Sequence, residues 1–204
     1  RARARCGMQP DRCLHVCLLG DPGVGHSRFL RCFRHSGIDD GPDAQLESIV
    51  KIVSLDGEEW QVRLTDNLGA DRCDAVRQAA LSSAHLVLLC FGVDAPASLR
   101  SLQERWAPLL WAAGVEAPTL VVGMRADLRG PGAVTQELGR LWAGRLGAVS
   151  YDECSAADGA ESVRQVVDRA LAVAKEFYSS QWQLRSRRAA PGAAEGDGAE
   201  PLWQ

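Results

Sequence analysis

Apolar residues along this chain fall into two rhythms that alternate from one end to the other. Short continuous apolar runs lie at residues 14–19, 84–91 and 118–123. Runs of that length, bounded by turn residues, read as strands covered on both faces. Between them the apolar positions are spaced for helices. Residues 27–34 set Phe29, Leu30, Cys32 and Phe33 among arginines, and residues 134–145 form another helical stretch. Residues 94–110 carry an apolar face of Leu99, Leu102, Trp106, Leu109 and Leu110, behind Asp94 as helix cap and Pro96 in the first turn. Residues 162–178 turn Val163, Val166, Val167, Ala170, Leu171 and Ala174 inward. Residues 49–55 and 60–65 flank Asp56-Gly57, a strong hairpin signal, and residues 148–151 make a short last strand. Six strands interleaved with helices predict an α/β fold. Its sheet is mostly parallel, with one antiparallel hairpin strand and helices on both faces, and ligands bind such a sheet at the carboxyl ends of its strands.

Composition narrows the class. With 46% apolar residues and six Trp, 204 residues fill one core. The expected organisation is a basic arm at residues 1–12, one folded domain at 13–178 and a disordered polar tail at 179–204. A net charge of −3 argues against nucleic acid as a partner. Seven cysteines show no C-x-x-C spacing, and Cys17, Cys90 and Cys154 fall in or beside strand-like runs. They read as reduced, buried thiols of an intracellular protein. No apolar stretch approaches the ~18 residues of a membrane span. The final residues, Pro201-Leu202-Trp203-Gln204, contain no Cys, so no prenylation box is expected. A cytoplasmic monomer is expected, with peripheral membrane contact through Cys6 or the Arg/Trp tail left open.

The candidate chemistry sits where the predicted strands end. After the first strand comes Gly20-Asp21-Pro22-Gly23-Val24-Gly25-His26-Ser27. The phosphate-binding pattern G-x-x-x-x-G-K-[ST] uses glycines to let backbone N–H groups close on phosphate, a lysine for fixed charge and a hydroxyl for Mg²⁺. Gly20, Gly25 and Ser27 keep that frame, and His26 stands in the lysine's place. Taken alone, the octamer has a bland alternative, an ordinary Gly-Pro turn between strand and helix. After the hairpin comes Asp66-Asn67-Leu68-Gly69, whose carboxylate suits Mg²⁺ through water and whose glycine N–H suits a terminal phosphate. After the 118–123 strand comes Met124-Arg125-Ala126-Asp127, where a carboxylate can accept from the N1–H and N2–H₂ edge of guanine. After the last strand comes Glu153-Cys154-Ser155-Ala156, whose N–H groups suit guanine O6. Each alone reads equally as a helix cap; in this order, at successive strand ends, they describe one site.

Over residues 13–178 the chain resembles a Ras-superfamily small GTPase of the Rho branch. The resemblance rests on LLCFGVDAPASLRSLQERWAPLL (88–110), VVGMRADLR (121–129) and RLGAVSYDECSA (145–156). The last two are similar to the branch's VGxKxDLR and RIGAxxYxECSA strings. The resemblance implies the P-loop small-GTPase fold, GTP or GDP with Mg²⁺ as ligands, and protein effectors or regulators of Rho type as partners. It assigns Ser27 and Asp66 to the metal, Gly69 to the γ-phosphate, Arg125 to the face of the base, and Asp127 with Ser155 and Ala156 to guanine. The stretch between Arg129 and Trp142 is too short for the extra helix that Rho members carry there.

The departures from the family pattern bear on chemistry. His26 replaces the phosphate lysine, Met124 the Asn or Thr beside the base, and Arg125 the lysine covering it. Ala70 stands where a glutamine orients the attacking water, and residues 41–47, around Ala44-Gln45, hold no threonine for Mg²⁺. Pro22 sits beside the γ-phosphate position. Losing one charge-assisted hydrogen bond costs about 1.5–3 kcal/mol, or roughly 10- to 150-fold in affinity. The residues therefore leave two readings: a nucleotide-binding Rho-like protein with very slow or absent hydrolysis, or a nucleotide-free pseudo-GTPase used as an interaction scaffold.

Overall fold

The first apolar run forms β1 (Cys13–Gly20), the strand on which the sheet is centred. The computed structural model describes residues 12–35, 48–66 and 74–189. The six strands run in the order β2 (Ser48–Leu55), β3 (Glu58–Asp66), β1, β4 (Leu86–Gly92), β5 (Thr119–Met124) and β6 (Ser150–Glu153). Only β2 is antiparallel to its neighbour; β3, β1, β4, β5 and β6 are parallel. The hairpin turn has Asp56 at φ 54° and Gly57 at φ 78°, the left-handed pair of a type I′ turn.

Period-two alternation sends β1 into both layers. Leu14, Val16 and Leu18 pack with α1 (His26–His35) and α6 (Ala160–Ala189), while Cys17 and Leu19 pack with residues of the opposite layer. That layer is built from α2 (Asp74–Ser82), α3 (Pro96–Ser101), α4 (Ala107–Ala112) and α5 (Gln136–Arg145). The continuous apolar run of β1 thus reflects burial on both faces.

Several expectations are corrected. The helix over 94–110 is broken by a π turn at Leu102–Trp106, where the Ala107 N–H reaches back to the Leu102 carbonyl. Pro108 lacks an N–H and disturbs the regular ladder there. Asp94 does not cap this helix; Ala95 occupies the cap position without a side-chain bond, and Asp94 pairs elsewhere. The last helix does not stop at residue 178 but continues to Ala189. The added residues contain neither Gly nor Pro and include Gln, Leu, Arg and Ala, all tolerant of helix. Helix α2 was not anticipated, because its stretch is rich in alanine and offers Leu81 as its one deeply buried large side chain among the residues whose burial is described.

Toward the amino end of β1, away from its glycine turn, lies a polar cluster. His15 is 9% exposed, with Nδ1 3.0 Å from Ser83 Oγ and Nε2 3.0 Å from Thr65 Oγ1. Its own backbone N–H donates to His85 Nδ1 at 3.0 Å. Burial, then the Arg63 guanidinium and His85, push the His15 pKa down to about 4 from 6.5. The folded protein therefore binds fewer protons than the unfolded chain between those values, and stability falls as pH drops through that window. We expect a loss on the order of 2–3 kcal/mol between pH 6.5 and 4, read by urea denaturation across pH. His15→Gln flattens that slope; an unchanged slope would assign the acid sensitivity to other groups.

Candidate nucleotide-binding site

The glycine turn after β1 lies where the sheet order reverses, with β3 on one side and β4 on the other. Gly20 is required there for packing: a Cβ would fall 2.0 Å from the Cys90 carbonyl oxygen of β4. Gly25, at φ 122°, occupies backbone space that L side chains rarely adopt, and its carbonyl accepts from the Phe29 N–H at 3.0 Å. Pro22 and Gly23 are exposed, Val24 is buried, and Ser27 is half-buried in the first turn of α1. Side chains from elsewhere pin the turn. The Trp106 indole N–H donates to Asp21 Oδ1 at 2.9 Å, and Arg125 Nη1 donates to the Gly23 carbonyl at 2.9 Å.

His26 opens α1 and folds inward, its side chain only 4% exposed. Nδ1 lies 3.4 Å from Asp66 Oδ1 at the end of β3, and Nε2 is buried without a hydrogen-bond partner. The expected phosphate and metal residues are therefore in contact with one another.

The base end assembles from β5 and β6. Met124 is buried at the end of β5, and Arg125 follows at φ 59°, a left-handed conformation that lifts its side chain across the turn. Its Nη2 pairs with Asp94 Oδ1 at 2.7 Å. Asp127 Oδ1 accepts from Ser155 Oγ at 2.7 Å, and that hydroxyl also accepts from the N–H groups of Ala157 and Asp158. Gly25, Phe29, Met124, Arg125, Asp127, Cys154 and Ala156 line one cavity of about 130 Å³. The glycine turn and the expected guanine residues thus share a single hollow at the carboxyl edge of the sheet.

This strand order, turn and hollow set the frame for comparison with known proteins. A family model described as the Ras family matches residues 15–176. The GTP-binding protein rho1 of Schizosaccharomyces pombe is 33% identical over 172 residues, covering 78% of this chain and 85% of that protein. The GTP-binding protein rho5 of the same yeast is 33% identical over 170 residues, covering 76% and 85%. The chain belongs to the Rho branch of the Ras superfamily. That family binds guanine nucleotide and Mg²⁺ and works with effectors and regulators of Rho type.

Within this Rho-branch chain the structure brings together Gly20 to Ser27, Asp66, Arg125, Asp127, Ser155 and Ala156 at one edge. Gly69, Ala70 and the span 41–47 lie outside the described residues. Sequence reasoning missed Asp94 and Trp106 as the anchors of the turn; their only signal was position within the Rho-like 88–110 string. It also missed the reason for the branch's Arg and Tyr-x-Glu positions. Arg129 Nη2 and the Tyr151 hydroxyl both donate to Glu153, each at 2.5 Å, and Arg129 also donates to the Val134 carbonyl. This knot ties the loop bearing Asp127 to β6.

The residues fit guanine nucleotide better than they fit the metal. The His26 imidazole faces the Asp66 carboxylate at 3.4 Å, on the oxygen that a metal's water would use. Cysteine chemistry is also absent from the site. Burial, with Cys32 next, pushes the Cys154 thiol up to about 12, and burial raises Cys90 well above its ordinary value, so both stay protonated.

Removing the Asp94 anchor tests how the turn is held. In Asp94→Ala we expect amide exchange across residues 21–26 to accelerate by roughly tenfold while the core strands are unaffected. Equal exchange in both proteins would mean that Arg125 holds the turn without Asp94.

Proposed function

We propose that this chain is a guanine-nucleotide-binding Rho-like signalling protein with weakened nucleotide affinity and very slow or absent GTP hydrolysis. The observation that carries the reading is the hollow shared by Gly25 of the glycine turn and Asp127, the latter held by Ser155. Weakness follows from charge. The turn has no lysine, and Arg125, which reaches across it, is shared between Asp94 and a backbone carbonyl. Slow hydrolysis follows from Ala70, since nothing at that position can orient a water. We place the protein in the cytoplasm, acting through Rho-type effectors.

A second reading, the nucleotide-free scaffold, is favoured by the anchoring of the turn by Trp106 and Arg125, contacts that need no ligand. Chromatography of nucleotide released from the denatured, purified protein separates the two. Stoichiometric GDP or GTP supports the first reading, and an empty site supports the second. GDP appearing from loaded GTP at ordinary small-GTPase rates would contradict the predicted loss of hydrolysis. Restoring the lysine, His26→Lys, is expected to tighten GDP binding by roughly 10- to 100-fold in fluorescence titration. No change in affinity would mean that the turn does not touch phosphate.

A further inference from the structure

We infer that nucleotide binding at this site gains little or nothing from Mg²⁺, because the carboxylate the metal would use is already engaged by His26. The inference rests on the nucleotide reading above and extends it to the ion that accompanies nucleotide in the family.

Magnesium demands near-octahedral oxygen ligation at about 2.0–2.1 Å, gives up water reluctantly, and is usually held by one or two carboxylates together with substrate phosphates. Among the described residues, four carboxylates at this edge of the sheet are each met by a donor of the protein itself. Asp21 accepts from the Trp106 indole, Asp94 pairs with Arg125, Asp127 accepts from Ser155, and Asp66 faces His26. The 3.4 Å between His26 Nδ1 and Asp66 Oδ1 leaves no room between those atoms for a cation and its bridging water. Side-chain exposures of 4% and 16% enclose the pair. Turning Asp66 toward a metal would strand the second nitrogen of a ring whose Nε2 already lacks a partner. Each such buried orphan costs about 1–3 kcal/mol. Imidazole itself is a ligand for zinc, copper or nickel rather than for magnesium. What remains for the metal is the hydroxyl of Ser27, with no threonine in residues 41–47 to complete the set.

The test is a fluorescence titration of the full chain with N-methylanthraniloyl-GDP, in millimolar Mg²⁺ and again in excess EDTA. Dissociation constants agreeing within about twofold are expected. Tightening by Mg²⁺ of about tenfold or more overturns the inference while leaving the nucleotide reading intact. Saturable binding in neither buffer overturns the nucleotide reading, and this inference with it. His26→Ala, which releases Asp66, is expected to gain a Mg²⁺ dependence of about fivefold or more. A variant as indifferent to Mg²⁺ as the parent would overturn the assignment to His26. His26→Gln, closer in volume, repeats that comparison should the alanine protein fail to fold.

Discussion

The contact on which the site depends is the close approach of β1 to β4 at Gly20. The Cys90 carbonyl occupies the space where any side chain at position 20 would begin. That approach fixes where the chain leaves the sheet, and with it the place where α1 starts. Because β1 is an interior strand of the sheet, with parallel neighbours hydrogen-bonded on both sides, the exit point cannot drift. The turn is therefore carried on a rigid element, the condition for a site held to fractions of an ångström.

Around that fixed exit, the protein supplies contacts of its own in the region where the family uses phosphate and metal. Trp106 reaches the turn from the π segment, and Arg125 reaches it from the end of β5. His26 reaches down to Asp66 instead of outward. An arginine shared between a carboxylate and a carbonyl is a poorer electrostatic resource for a ligand than a free cation, since its field is largely neutralised. The contacts that order the turn are thus made among the protein's own groups.

The opposite edge of the sheet follows a different physical logic. There the polar groups are histidine, serine and threonine, bonded around the buried His15, with His85 set edge-on against Tyr178 and Tyr178 against Trp60. These bonds join β1 to β3 and to the loop before β4. The cost of burying an imidazole is met by giving both of its nitrogens partners. His26 differs, since one of its nitrogens has no partner.

Much of this was legible from the chain alone. Apolar runs and helical spacing identified the strands and most helices, and Asp56-Gly57 announced its turn, because hydrophobic period and turn chemistry are local properties of sequence. The ordered motifs at strand ends identified the family and the hollow at Asp127 for the same reason: spacing along a strand becomes position at its end. Other features were invisible. The π turn arose from Pro108 acting within a helix already held by the core, and α2 carried too few large apolar residues to announce itself. Asp94 looked like a helix cap until Arg125, in a left-handed conformation, came within 2.7 Å of it. Sequence determined which residue types stand at the carboxyl ends of the strands. Tertiary structure alone decided how they pair, because ion pairs and buried side chains depend on distances across strands that lie far apart in the chain.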